Sequence, residues 1–142
     1  MTCGKNGFSY TLLLGDGSVV EEELEAPRSM VSNRPEVLVW LEDEAQRLFQ
    51  SNDVLEVRIK AAQSGGKFGA SRERYESETC VQIAAHRAGA AVRTLNKEQV
   101  RAAYGVEKGR GAYETLLERD DVRERSNEVR RHQYLMVKAR TS

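Results

Sequence analysis

The chain has 142 residues and 16.0 kDa, with 22 basic and 22 acidic residues, 39% hydrophobic and 6% aromatic. That size suits one compact domain, or two very small ones sharing a core, and the two prolines, eleven glycines and evenly spread apolar residues exclude wholesale disorder and collagen-like repeats. No run approaches the roughly 20 apolar residues of a membrane span and no basic segment leads into an apolar one, so the expectation is a soluble cytoplasmic protein with no membrane partner.

Residues 8 to 14 alternate as Phe8, Tyr10, Leu12 and Leu14 against Ser9, Thr11 and Leu13; Asp16-Gly17 interrupts, and Val19 to Leu24 resumes the extended pattern. Asp-Gly between two such runs predicts a hairpin of strands near 7–14 and 17–24. Ser32 or Asn33 caps a helix over about 35–50, in which Pro35 suits the first turn and Val37, Leu38, Leu41, Ala45, Leu48 and Phe49 share one face. Leu55, Val57, Ile59 and Ala61 alternate with Glu56, Arg58 and Lys60, and the run from Cys80 to Ala85 reads as a second strand. The segment 63–78 between them, with Gly65, Gly66 and Gly69, reads as a long connection or hairpin tip. Two hairpins on one amphipathic helix make an α+β fold for residues 1–92.

Past residue 92 the balance changes. Residues 1–62 carry 6 basic and 11 acidic side chains, whereas residues 93–142 carry 12 and 8. Asn96 caps a helix that stops at Gly105, and a second helix spans 107–119. Residues 122–126 and 131–138 look like paired strands across Asn127-Glu128. The expected order of this second part, 93–142, is helix, Gly-Val turn, helix and C-terminal β-hairpin.

The stretch LNKEQVRAAYGVEKGRGAYETLLERDDVRERSNEVRRHQYLMVKA, residues 95–139, resembles a winged helix-turn-helix. In that family the helix after the turn enters the major groove and the hairpin is the wing. The resemblance implies that Lys108, Arg110 and Tyr113 lie on the recognition helix and that Arg123, Arg125, Arg130 and Arg131 lie on the wing, with DNA as partner.

Catalytic and metal chemistry leave little trace. His86 and His132 are the two imidazoles. Cys80 and His86 are six apart, compatible with a thiol–imidazole pair or with a buried thiol beside a surface histidine. Cys3, Cys80, His86 and His132 lack the close paired spacings of a zinc site, so neither metal nor cofactor is expected. Ser64-Gly65-Gly66-Lys67 lacks the order of a phosphate loop. Lys67, Phe68, Arg72, Arg74 and Tyr75 interleave cations with aromatics and suit contact with nucleic acid or protein. These features point to a small non-enzymatic DNA-binding protein, a regulator or a phage or mobile-element accessory factor that allows a homodimer. The alternative is a protein-binding inhibitor or assembly subunit acting through its acidic face or the 63–78 loop.

Overall fold

The computed structural model describes residues 1–61 and 71–140. The fold is α+β, with strands β1 (Thr2–Cys3), β2 (Gly7–Leu13), β3 (Val19–Glu25), β4 (Glu56–Lys60) and β5 (Ala91–Leu95). The helices are α1 (Arg34–Ser51), α2 (Arg72–Arg87), α3 (Lys97–Ala103), α4 (Ala112–Leu117), α5 (Asp120–Arg123) and α6 (Glu128–Lys138). The chain divides into two compact units, the first built from Met1–Ser9 and Glu23–Thr94, the second from Tyr10–Glu22 and the chain from Leu95 on.

In the first unit β1 pairs antiparallel with β2, Thr2 opposite Ser9 and Cys3 opposite Phe8. On its other side Met1 N donates to Arg58 O and Met1 O accepts from Lys60 N, each 2.9 Å, which is the bonding of a parallel pair centred on Ile59. Ala91 N donates to Leu55 O at 2.9 Å, joining the starts of β4 and β5, and α2 supplies the helical crossover that a parallel pair requires. Helix α1 forms where expected: Asn33 accepts from Glu36 N, proline sits in the first turn, and Val37, Leu41, Ala45 and Phe49 are buried. Arg34 locks its start by donating to Glu73 O (2.6 Å) and Lys5 O (2.5 Å) and pairing with Glu76 at 3.1 Å.

The second hairpin expected here is absent. Residues 80–85 lie inside α2, whose buried face runs Ser77, Cys80, Val81, Ala84 and Ala85. That spacing is helical, but the first two buried positions of the helix, Ser77 and Glu78, are polar, so only the apolar run Cys80–Ala85 carries a hydrophobic signal. The true neighbour of β4 is β5. The first hairpin is present, but its turn is not the type I′ that an Asp-Gly pair favours, which needs positive φ at both residues. Gly17 takes φ +87° while Asp16 stays out of the left-handed region, and Asp16 Oδ1 accepts from Ser18 N at 2.9 Å.

The second unit is built on Leu95, Val100, Tyr113, Leu116, Val122, Leu135 and Met136, with Tyr104, Val106, Leu117 and Tyr134 partly buried around them. Helix α3 has a reciprocal capping box between Asn96 and Gln99. Its partner is shorter than expected, Ala112–Leu117 in place of 107–119, because Gly111 sits at φ +71° as its N-cap. Of the residues expected to pair as wing strands, Val122 and Arg123 end α5 and 131–138 lie within α6, while 124–126 form the turn between the two helices. Asn127 caps α6 by accepting from Arg130 N, and His132, Leu135, Met136 and Ala139 fall at the i, i+3, i+4, i+7 spacing of a buried helix face. The hairpin tip belongs to this unit. Thr11 Oγ1 donates to Gln133 Oε1 (3.1 Å), Arg130 Nη1 to Tyr10 O (2.7 Å) and Lys138 Nζ to Gly17 O (2.7 Å).

Candidate nucleic-acid interface

The charge imbalance of the linear chain does not survive folding. The hairpin tip brings Asp16, Glu21 and Glu22 into the second unit, which then holds 11 basic and 11 acidic residues. Many of its cations are spoken for. Arg125 lies 4.0 Å from Glu21 and 3.7 Å from Glu124, with its guanidinium 4.7 Å from the Tyr134 ring centroid; Lys138 lies 5.7 Å from the same ring. Arg119 stands 5.3 Å over Tyr104 and 3.4 Å from Asp121.

The seven residues assigned to recognition helix and wing therefore separate. Arg130 is buried and donates to Tyr10 O and Gln133 Oε1, so it is an internal tie and not a surface contact. Arg131 is half-buried and donates to Arg123 O at 3.5 Å, and Arg123 is exposed at 4.0 Å from Glu118. Tyr113 is 5% exposed and hydrogen-bonds His132 Nδ1, while His132 Nε2 lies 3.2 Å from Glu128 Oε1. Burial pushes the Tyr113 hydroxyl well above its ordinary range, so it stays protonated and donates, which leaves the His132 Nε2–H to face Glu128. Lys97 sits 5.4 Å over the Tyr113 ring. A hydroxyl–imidazole–carboxylate chain is the arrangement that activates a nucleophile. Here the hydroxyl is shut inside the core, and the chain ties α4 to α6.

Lys108 and Arg110 are the exposed pair. They lie on the loop 105–111 between α3 and α4, not on a helix, and neither has an ion-pair partner among the described residues. All five residues from Glu107 to Gly111 are exposed, and none of their backbone N–H groups meets a protein acceptor among the described residues.

Of the loop-contact residues in the first unit, Lys67 and Phe68 lie outside the described residues. Arg72, Arg74 and Tyr75 stand in the first turn of α2, where Arg72 is 3.9 Å from Glu76, Arg74 3.8 Å from Glu78, and Tyr75 is 40% exposed. The Cys80–His86 pair does not form a site, because six positions on a helix turn the two side chains well apart, one buried and one exposed. Cys3 is buried against this helix. Burial, then the nearby Glu78 carboxylate, pushes its thiol up to about 12, which makes it a poor nucleophile. Among the described residues no group of three or more His, Cys, Asp or Glu side chains converges to hold a metal ion, and no helix is long and apolar enough to cross a membrane.

No family model matches the sequence, and no curated protein does. Solved structures do match in fold. Thermus thermophilus RuvC aligns with a TM-score of 0.56 at 14% identity over 73% of this chain, taking in 66% of that chain, a little under two thirds of its length. The same protein in complex with a Holliday junction substrate aligns with TM-score 0.56 and 14% identity, over 73% of this chain and 68% of that one. The likeness establishes a shared fold. It also overturns the expectation of a non-enzymatic regulator or accessory factor, and of an inhibitor or assembly subunit, because the fold is shared with a protein that takes DNA as a substrate.

Proposed function

We propose that this protein processes nucleic acid and that branched DNA is its substrate class. The observation that carries the reading is the fold likeness to RuvC, which includes the form held on a Holliday junction. Fold alone does not dictate function, since function resides in sites grafted on folds. The second unit supplies a feature consistent with the reading, an exposed pair of unpaired cations on the loop 105–111. The residues outside the described set contain no His, Cys, Asp or Glu, so they add no such metal ligand of their own.

The test is incubation of the purified protein with an end-labelled four-way DNA junction and with a linear duplex of the same arms. Each is run in EDTA, in Mg²⁺ and in Mn²⁺ and resolved on native and denaturing gels. Junction-selective retardation together with new strand ends is the expected result. Absence of both binding and strand scission in all three conditions overturns the proposal.

A further inference from the structure

The loop 105–111, Gly-Val-Glu-Lys-Gly-Arg-Gly, contains a glycine that the fold does not require. Gly105 and Gly111 have φ of +70° and +71°, which an L side chain rarely adopts, so their identity is explained by the turn. Gly109 is different. Its φ is outside the left-handed region and a Cβ built on it meets nothing within 4 Å. A side chain there would cost the folded chain no strain and would reduce the freedom of the unfolded one. Its smallness leaves the surrounding backbone open to a group that approaches from outside.

What would approach is indicated by the groups the loop presents. Backbone N–H donors from Glu107 to Gly111 point to no protein acceptor among the described residues, and Lys108 and Arg110 flank Gly109 without a carboxylate partner. The other cations of this unit with ion-pair partners, Arg101, Arg119, Arg123 and Arg125, are tied to Glu98, Asp121, Glu118 and Glu21. Consecutive backbone donors in a turn, with cations on either side, suit a phosphate oxygen. The one opposing charge on the loop is Glu107.

We propose that the loop 105–111 is a docking site for the phosphate backbone of nucleic acid, held by Lys108, Arg110 and the backbone around Gly109. This rests on the nucleic-acid reading above and names the part of the chain that makes the contact. Gly109 admits the phosphate to the backbone N–H groups, the two cations neutralise it, and Glu107 limits the affinity.

The experiment is fluorescence anisotropy of a labelled four-way junction, a duplex and a single strand against the full chain, titrated at several salt concentrations. The variants are Lys108→Ala/Arg110→Ala, Gly109→Ala and Glu107→Gln, each with a thermal melt as a folding control. The double variant is expected to bind more weakly and to lower the slope of log K against log salt by about 2, since each phosphate contact contributes about 0.9 on duplex DNA. Gly109→Ala is expected to weaken binding at unchanged or raised melting temperature, and Glu107→Gln to tighten it. Wild-type binding with an unchanged slope in the double variant and unchanged affinity in Gly109→Ala overturns the loop assignment and leaves the nucleic-acid reading standing. Failure of the wild type to bind any of the three at low salt overturns both.

Discussion

Removing His132 tests the internal chain that holds α4 against α6. Tyr113 and His132 are 5% and 3% exposed, so bulk water does not take the place of either when it is removed. Tyr113→Phe deletes one donor and leaves His132 Nδ1 as a buried acceptor without it, a cost of about 1–3 kcal/mol. His132→Ala leaves the Tyr113 hydroxyl unpaired at a similar cost and opens a cavity. Large-to-small core changes run to about 2–5 kcal/mol, so about 4 kcal/mol is the size expected. The double variant Tyr113→Phe/His132→Ala no longer strands either polar group. Its cost should fall short of the sum by about 0.5–3 kcal/mol, the range for directly coupled residues. Glu128→Gln should cost under about 1 kcal/mol, because the amide oxygen still accepts from His132 Nε2–H and the charge it removes sits on a side chain that is 74% exposed. Equilibrium unfolding in urea, followed by far-UV circular dichroism, measures all four. Additivity of the two single variants within about 0.5 kcal/mol would show that the Tyr113–His132 bond does not couple the helices, and would refute the reasoning.

Stability should fall as pH rises through the window from 9 to about 12. Cys3 is raised from 9.0 to about 12, so the thiol ionises in the unfolded chain before the folded one, and its stabilisation is full below 9 and lost by about 12. Three units correspond to about 4 kcal/mol at most, and Cys3→Ala should flatten this alkaline loss in a series of melts; an unchanged pH profile would count against the assignment. At neutral pH Cys3 should resist iodoacetamide in the native state and react after unfolding. Gly7→Ala should destabilise the hairpin base by about 1–3 kcal/mol or more, since the added Cβ would collide with Leu24 O and neither strand backbone can yield freely. A melting temperature equal to wild type would show that this close approach is relieved.

Several elements were legible because their signals are short-range. Asn33 with Pro35 starts α1, Asn96 with Gln99 starts α3, and Gly105 ends it; each is settled by groups within four residues along the chain. The first hairpin followed from alternation around Gly17 for the same reason, although the backbone of Asp16 chose another turn. Helices α2 and α6 were misread because their buried faces carry polar residues, Ser77 and Glu78 in one and His132 and Gln133 in the other, which a hydrophobicity pattern counts as surface. Part of the hydrogen bonding that lets a polar side chain be buried comes from groups remote in sequence: Lys5 O for Ser77, Thr11 for Gln133, Tyr113 for His132. The tertiary structure likewise decided which cations are available. Glu21 reaches Arg125 and Tyr10 O reaches Arg130 across more than a hundred residues, while Lys108 and Arg110 keep their exposure. Amino-acid order alone determined the caps of α1 and α3 and one amphipathic helix, because those backbone donors are satisfied locally; exposure and pairing of charge depend on which distant segments come to lie side by side.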